Sequence, residues 1–488
     1  MLRLPDRKSR DELYRQLGNH IWLDNAATTL PPSDLLKDVA SDLGSNLYAN
    51  PHSNSKPSKD TEDKIEEIRR RILQFFGANT EEWDVVFVAN TTAAIKLLVE
   101  CFCDYAASKK KGFRLGYHSD SHTSLVGARE LATQHDCFLE DSDVDTWIED
   151  LARDDRSWAQ LNLLAYPGQS NMTGRRLPTH WPTSVRQRCH RSNVYTLLDA
   201  AALASTSPLN LSDTSRSPDF VAVSILKIFG SPHLGALIVQ KQAAEPLSAR
   251  RYFGGGTVDM VITIGDSWHK KKSNSLHDAL EYGTLPIQDI IAVGHAIKCY
   301  ESLFGERPMS RIAHTTSHLA KMMADELSRL KHANHRPVIQ SYSMLEDGIY
   351  KSQSQGPIIA FNVLRPDGSL VAYSEVESLA EEKKINLRTG SLCNPGGLAK
   401  SLHWGPDELR QAYNCLGHRC SDPTPIIGNK ATGVVRVSLG ALSVESDVTA
   451  FIDFVKKTFV TRRKDGIAQA CAQSATGDYC LICTVPSL

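Results

Sequence analysis

The chain has 488 residues, 41% hydrophobic and 23% charged, which is an ordinary composition for a globular protein and too long for a single core. The 55 basic and 56 acidic side chains give a net charge of −1, so composition provides no basic surplus for binding nucleic acid or an anionic membrane. No apolar run predicts a membrane span, the polar N-terminus does not resemble a secretory signal, and 11 scattered cysteines favour free thiols and the cytoplasm.

The first half of the chain predicts helices alternating with short buried strands. Residues 1–20 predict a polar helical lead-in, and the spacing of Ile65, Ile68 and Ile72 predicts a helix over 61–77 that stops at its glycine. Apolar runs then predict strands at 85–89, 161–166, 194–199, 219–224 and 234–239. This alternation indicates a mostly parallel α/β sheet, in which functional groups gather at the carboxyl ends of the strands.

The second half predicts a smaller α+β domain. A long helix is expected at 288–304, and later helices alternate with strands at 357–364 and 433–440. We therefore expect four parts: an N-terminal segment that packs on the small domain (1–40), a large domain (41–304), a small C-terminal domain (305–465) and a tail (466–488).

Two charged residues stand where charge is costly. Lys227 follows the run DFVAVS and precedes a glycine/proline turn and another apolar run. Most lysines are solvated surface charges, but desolvation lowers the pKa of a lysine and suits it to form a Schiff base. Asp199 ends the run VYTLLD, where it either caps a helix or pairs with a cation such as a pyridinium nitrogen. A lysine and an acid in this arrangement are what a pyridoxal cofactor requires.

Polar residues follow other predicted strands. Thr91 and Thr92 stand between a strand and a helix, where hydroxyls and a helix N-terminus suit a phosphate, although such residues are also common helix caps. His122 is either a structural hydrogen-bonding residue or a catalyst, and Asn171 is either a turn residue or a ligand. Cys393 lies in the polar loop RTGSLCNPGG, which can be exposed and mobile, and the nearby Arg388 favours the thiolate.

These residues belong to a series of segments that resembles a known family. The segments resemble the class V aminotransferases of fold type I, and most closely the cysteine-desulfurase-like domain of eukaryotic molybdenum cofactor sulfurases. In order over residues 20–460 they are LDNAATT, NPHS, FVANTTAAIK, HTSLVGARE, AYPGQSNMTG, LLDAAA, SILKIFG, LGALIV, RYFGGGTV, EYGTLPIQDIIA, LRTGSLCNPGG and GNKATGVVRVSLG. The resemblance implies a fold type I transferase dependent on pyridoxal 5'-phosphate, with a large domain of mostly parallel sheet and a smaller α+β C-terminal domain.

The resemblance also assigns cofactor-binding roles. Lys227 would form the Schiff base, Asp199 would pair with the pyridine nitrogen, His122 would stack on the ring and move protons, and Asn171 would bond the phenolic oxygen. The phosphate would be held by Thr91, Thr92, Ser224 and, across a two-fold homodimer, Thr284.

Substrate roles follow from the same resemblance. Arg436 would bind the substrate carboxylate in a bidentate fork, with Arg388 and Asn50 also assigned to the substrate. Cys393 would attack the sulfur of cysteine, leaving alanine and a persulfide that an acceptor protein or metabolite takes up. No metal site is expected.

Three departures and two alternatives remain open. Leu226 and Ala202 stand where many desulfurases carry histidine and glutamine, which implies fewer polar groups around the phosphate and phenolic oxygen. The chain ends soon after the desulfurase-like part, so sulfuration of the molybdenum cofactor is not expected, and the CLIC segment at 480–483 could relay sulfur or bind metal. The alternatives are a C–S lyase acting on cysteine conjugates and an idle scaffold or sulfur carrier.

Overall fold

The computed structural model describes residues 7–153, 159–189, 193–343 and 350–461. The predicted tail and its CLIC segment lie outside the described residues. The helices of the described chain are α1 Arg7–Leu13, α2 Ser33–Ser45, α3 Lys56–Phe75, α4 Thr91–Ser108, α5 Thr123–Val126, α6 Asp141–Arg153, α7 Trp181–Arg188, α8 Ile225–Phe229, α9 Glu245–Ser248, α10 Leu276–Leu280, α11 Ile287–Phe304, α12 Pro308–Arg329, α13 Tyr373–Glu382, α14 Pro395–Leu402, α15 Pro406–Leu416 and α16 Glu445–Phe459.

The strands of the described chain form one large sheet, one smaller sheet and three short pairs. They are β1 Ile21–Trp22, β2 Trp83–Val88, β3 Gly112–His118, β4 Gln134–Phe138, β5 Gln160–Pro167, β6 Val194–Asp199, β7 Phe220–Ser224, β8 Gly235–Gln240, β9 Val258–Ile262, β10 Trp268–Lys271, β11 Ile339–Ser341, β12 Ile358–Val363, β13 Ile385–Asn386, β14 Arg388–Gly390, β15 Ile426–Ile427, β16 Lys430–Ala431 and β17 Val434–Ser438.

The large sheet has seven strands in the order β2-β8-β7-β6-β5-β3-β4. Strand β8 is antiparallel to both of its neighbours, and the other strands share one direction. Strands β7 and β8 are buried along their whole length because helices cover both faces of the sheet. The predicted mostly parallel α/β architecture is confirmed.

The smaller sheet has the order β11-β12-β17-β14 and is antiparallel throughout. Helices α12, α13 and α16 pack on one face of it around a core that includes Phe361 and Phe451. This α+β body carries the loop between β14 and α14, in which Cys393 lies.

The N-terminal segment contacts both bodies. Strand β1 pairs in parallel with β13. The buried Arg10 guanidinium donates to both carboxylate oxygens of Asp447 at 2.9 Å. Both contacts hold this segment against the body that contains the small sheet. Helix α2 instead places Leu35 in the core beneath the large sheet. The division into these four parts stays a prediction.

Several local elements differ from the sequence prediction. The helix expected at 61–77 begins at Lys56, where the Ser55 side chain caps it, and ends at Phe75, before Gly77 adopts a φ of 67°. Strands β3 and β4 and the β9–β10 hairpin were not predicted. Among the described residues, no helix combines the length and the apolar character needed to cross a bilayer.

Candidate active site

The carboxyl ends of the central strands open into a cavity of about 260 Å³. It lies where parallel strands give way to helices, the usual site position in an open α/β sheet. Seven residues predicted from the sequence line it, and the full lining is Asn90, Thr91, Thr92, His122, Ser124, Pro167, Gln169, Asn171, Asp199, Ala201, Ala202, Ser224, Leu226 and Lys227.

Lys227 and Asp199 form the electrostatic centre of this cavity. Lys227 lies in α8, which the hydroxyl of Ser224 caps by accepting the Lys227 N–H at 3.3 Å, and Thr29 donates to the Lys227 carbonyl at 2.8 Å. Burial lowers the pKa of the Lys227 amine, and the Asp199 carboxylate opposes that shift. Burial thus makes this amine easier to deprotonate than an ordinary lysine.

Asp199 ends β6 and is only 6% exposed. Its Oδ1 accepts the Ala201 N–H at 3.0 Å. Burial raises the pKa of this carboxyl, while that hydrogen bond, Lys227 and His122 act in the opposite direction. A carboxylate held here would be stabilised by a cationic ring nitrogen bound in the cavity.

His122 caps α5 through its ring. Its Nδ1 accepts the Ser124 N–H at 3.1 Å and lies 2.8 Å from the Ser124 hydroxyl. Because Nδ1 accepts from a backbone donor, a neutral ring carries its proton on Nε2. Burial lowers the pKa of His122, against the attraction of Asp199. The ring is therefore neutral near pH 7, with Nε2–H available as a donor.

The start of α4 fits an anionic group. Asn90 caps this 18-residue helix by accepting the Ala93 N–H at 3.0 Å. The Thr91 hydroxyl is buried and has no hydrogen-bond partner among the described residues. A Cβ at Gly235 would meet the Asn90 carbonyl carbon at 2.5 Å, so glycine is needed for this close approach. An orphaned hydroxyl beside a helix N-terminus, a buried amine and a buried acid together fit pyridoxal phosphate.

The loop that carries Cys393 is fixed to the rim of the cavity. Leu392 and Cys393 have φ values of 56° and 52°, and Cys393 is exposed between buried neighbours. The Cys393 carbonyl accepts the Thr123 N–H at 2.9 Å, and the Leu392 carbonyl accepts Nδ2 of Asn171 at 2.7 Å. The negative charge of a Cys393 thiolate raises the pKa of Lys227, so the thiol acts on the cavity electrostatically.

Arg436 lies on β17 behind this loop and is 3% exposed. Its Nη2 contacts Oδ1 of Asp24 at 2.6 Å, its Nη1 donates to the Asn171 carbonyl at 2.8 Å, and its Nε is buried without a partner among the described residues. Burial lowers the pKa of Arg436, Asp24 opposes this, and Arg388, its partner in the β14–β17 register, adds to the lowering. Arg388 itself is exposed.

Two other predicted residues are not brought into the cavity of this chain. Asn50 is exposed, and its Oδ1 accepts the His52 N–H at 3.0 Å in a turn before α3. Thr284 is exposed in the loop between α10 and α11. The substrate role of Asn50 and the phosphate role of Thr284 stay predictions.

Four polar residues that shape this site were not predicted from the sequence. Asp24 lies inside the quoted LDNAATT segment, and Asn394 directly follows Cys393, so both had a positional signal. Asn90 precedes a predicted helix as a standard cap. Gln169 lies inside the quoted AYPGQSNMTG segment, and its Nε2 donates to the Ala202 carbonyl at 3.4 Å, which brings an amide to the cavity wall where Ala202 lacks one.

Comparison with solved structures gives the fold. A cysteine desulfurase from Thermococcus onnurineus NA1 superposes with a TM-score of 0.70 at 20% identity, covering 94% of this chain and 99% of that one. The Escherichia coli cysteine desulfurase CsdA superposes with a TM-score of 0.67 at 20% identity, covering 92% and 97%. With the sheet described above, this is the fold type I architecture of pyridoxal-phosphate enzymes, as expected.

Sequence comparison gives the family. The model of Aminotransferase class-V matches residues 21–451, and the chain belongs to the class V aminotransferase family. A molybdenum cofactor sulfurase of Aspergillus oryzae is 47% identical over 461 residues, which are 94% of this chain and 55% of that protein. One of Botryotinia fuckeliana is 47% identical over 458 residues, 92% and 55% respectively. The chain thus spans about half the length of these curated relatives, and the predicted resemblance is confirmed.

Proposed function

We propose that this chain is a pyridoxal-phosphate-dependent cysteine desulfurase, which removes sulfur from L-cysteine to give alanine and a persulfide on Cys393. The observation that carries the proposal is the position of the Cys393 loop, which is bonded to the residue after His122 and to Asn171 at the rim of the cavity that holds Lys227 and Asp199. The names of the relatives and of the fold neighbours support the same chemistry.

Different residues of the cavity would bind different parts of the cofactor. Lys227 would hold it covalently, Asp199 would pair with its ring nitrogen, and Asn171 would donate to its phenolic oxygen. Its phosphate would lie at the start of α4, on the hydroxyls of Thr91, Thr92 and Ser224. When bound, the cofactor supplies an electron sink for the substrate Cα. Nζ of Lys227, whose pKa is lowered by burial, would accept the Cα proton, and Nε2 of His122 can donate one.

The sulfur step uses Cys393 as the nucleophile. Arg436 would hold the substrate carboxylate, and Arg388, its partner in the β14–β17 register, and Asn50 are further candidates. The Cys393 thiolate attacks the substrate Sγ, so an S–S bond forms and the Cβ–Sγ bond breaks. The electron pair of the broken bond stays on the carbon side, which takes up protons to become alanine. Sulfur then leaves Cys393 when an acceptor thiolate, on a protein or a metabolite, attacks the persulfide.

The proposal is tested by mass spectrometry of the loaded enzyme. Protein reconstituted with pyridoxal phosphate is incubated with L-cysteine, and alanine and the mass of the Cys393 peptide are measured. We expect one added sulfur on that peptide and a loss of about a hundredfold or more in alanine formation for Cys393→Ser. Cys415→Ser is the matched control because Cys415 is also exposed, and it should behave as wild type. Lys227→Ala should lose the visible absorbance of the bound cofactor.

The same variants distinguish the second candidate, a C–S lyase that cleaves cysteine conjugates. One fold neighbour is a cystine C–S lyase solved with its product cysteine persulfide, at a TM-score of 0.63 and 14% identity, so the fold also occurs in that class. If Cys393→Ser releases sulfur and pyruvate at the wild-type rate, the desulfurase proposal is wrong and the lyase takes its place.

We also propose that the active unit is a homodimer in which Thr284 reaches the phosphate of the second copy. The loop of Thr284 is anchored by Glu281, whose carboxylate pairs with both Nη atoms of Arg69 at 2.8 and 3.0 Å. Beside it, Tyr282 is 48% exposed, and Ile264 at the tip of the β9–β10 hairpin is 91% exposed. Exposed apolar side chains of this kind mark interaction surfaces. Sedimentation of a fully active monomer would refute this assembly.

Thiol chemistry supports a reducing compartment. The eight cysteines that the structure describes are all free, including the buried Cys101 and Cys189. A free nucleophilic thiol on Cys393 needs such surroundings, and we therefore propose the cytoplasm as the site of action. Equal labelling of the unreduced and pre-reduced protein by a thiol reagent after denaturation would agree with this, and protected cysteines would contradict it.

A further inference from the structure

Asn394, the residue after Cys393, joins the small domain to the cavity wall. It is fully buried and caps α14, where its Oδ1 accepts the Gly397 N–H at 2.9 Å. Its Nδ2 lies 2.9 Å from the Asp120 carbonyl, 3.0 Å from Oδ1 of Asn171 and 3.3 Å from the hydroxyl of Ser170. All three partners belong to the large domain.

The polarity of this contact is fixed at both ends by backbone groups. The Gly397 N–H can only donate, so the oxygen of the Asn394 amide faces it and the nitrogen faces the large domain. The Leu392 carbonyl can only accept, so it requires the nitrogen of Asn171. Between them, Asn394 donates to Asn171, and a flip of either amide would oppose two donors or two acceptors. Nδ2 of Asn171 carries a second N–H besides the one that it gives to Leu392, and Asn171 lines the cavity.

Close packing supports the same junction. A Cβ at Gly396 would meet the Ser119 carbonyl oxygen at 2.3 Å, and a Cβ at Gly397 would meet Oδ1 of Asp120 at 2.9 Å. The start of α14 therefore lies directly on the segment that precedes His122. Asn394 is held at the centre of this contact, and the left-handed conformation of Cys393 immediately precedes it.

We propose that Asn394 is a positioning residue that presents the Asn171 amide to the cofactor as a donor and fixes the backbone of Cys393, so that one side chain aligns the cofactor ligand with the nucleophile. The inference rests on the proposed function, because it needs the cofactor in the cavity. Asn394 acts through Asn171 and through the loop, and it does not touch the reacting atoms.

The test is a spectroscopic pH titration of the resting, cofactor-loaded enzyme. A donor on the phenolic oxygen stabilises its charged form, so Asn171→Ala should move the pH midpoint of the visible band upward by about one to two units. Asn394→Ser keeps a helix cap but carries no amide, so the Asn171 side chain is free to turn. We expect the pH midpoint of the visible band to move upward by about half a unit to one unit in this variant. Asn362→Ser is the matched control, since Asn362 is a 1% exposed asparagine of β12 outside the cavity.

The double variant separates positioning from a general loss of structure. If Asn394 acts through Asn171, the shift of the double variant should equal that of Asn171→Ala alone. Additive shifts, an unchanged midpoint in Asn394→Ser, an unchanged midpoint in Asn171→Ala, or an equal shift in Asn362→Ser would each overturn the proposal. Should Asn394→Ser fail to fold, Asn394→Thr provides the same neutral cap for the titration. A wild-type enzyme with a visible band but no Cys393 persulfide refutes the proposed function alone.

Discussion

Replacing Asp24 by asparagine removes the counter-charge of a buried arginine. The Asp24 side chain is 14% exposed and that of Arg436 is 4% exposed, with 2.6 Å between Oδ1 and Nη2. Breaking a buried ion pair by removing one partner typically costs about 3–5 kcal/mol. The asparagine oxygen can still accept one hydrogen bond and Asp24 is partly solvated, so we expect a loss of about 2–3 kcal/mol in the free energy of unfolding.

Urea titration of wild type and Asp24→Asn measures this loss, and a small carboxylate adds a functional measurement. Propionate should stabilise the variant more than the wild type, because Asp24 no longer competes for the guanidinium. Asp34→Asn is the control, since Asp34 pairs with Lys37 at 2.7 Å on the surface and should change stability very little. The prediction is wrong if Asp24→Asn lowers the free energy of unfolding no more than Asp34→Asn does, or if propionate stabilises Asp24→Asn and the wild type equally.

Two further substitutions test packing and charge. A Cβ at Gly396 would meet the Ser119 carbonyl oxygen at 2.3 Å, so Gly396→Ala should destabilise the protein by about 1–3 kcal/mol, whereas Gly44→Ala, in open space within α2, should be neutral or stabilising in the same urea titration. His277 is partly buried, which disfavours its charged form, but its 2.8 Å contact with Asp84 raises its pKa overall. The stabilisation from this pairing is fully present below the pKa of an unfolded histidine and is lost as the pH rises through the raised pKa of the folded protein. His277→Gln should therefore lower the free energy of unfolding more near pH 5.5 than near pH 8.5. An equal loss at both pH values would contradict the pairing.

The central part of the site was predictable because its signals are local. Lys227 and Asp199 each follow an apolar run that becomes a buried strand, and parallel strands end at one edge of their sheet. Charge directly after such a run is costly, which identifies both residues without knowledge of any distant contact. Thr91 was found from its position between a predicted strand and a predicted helix, and the structure makes it the first residue of α4.

Elements without an apolar signature were missed. Strand β4, with the sequence QHDCF, lies at the edge of the large sheet and is mostly exposed, so no hydrophobic run identifies it. The reversal of β8 was invisible for the opposite reason, since a strand buried on both faces has the same apolar pattern in either direction. Direction is set by the tight turn after Lys227, which returns the chain beside β7.

No sequence signal indicated which residues would pair across distant parts of the chain. Asn394 and Asn171 are 223 residues apart, and Asp24 and Arg436 are 412 apart. Each of these side chains is an ordinary turn or surface type when considered alone. The first pairing depends on how the small domain docks on the strand ends of the large sheet, and the second depends on how the N-terminal segment pairs with β17. No local pattern encodes either.

The sequence posed capping and function as alternatives, whereas the structure combines them. Asn90, His122, Ser224 and Asn394 all accept a backbone N–H at a helix start, and all lie in or beside the cavity. A cap uses one acceptor atom and holds the side chain in one rotamer, so the remaining polar atom has a defined direction. For His122 that atom is Nε2, and for Asn394 it is Nδ2. Because β2, β3 and β7 run in one direction and end at one edge of the large sheet, the caps of α4, α5 and α8 converge there, while Asn394 reaches the same place from the small domain. The fold itself therefore orients these polar groups.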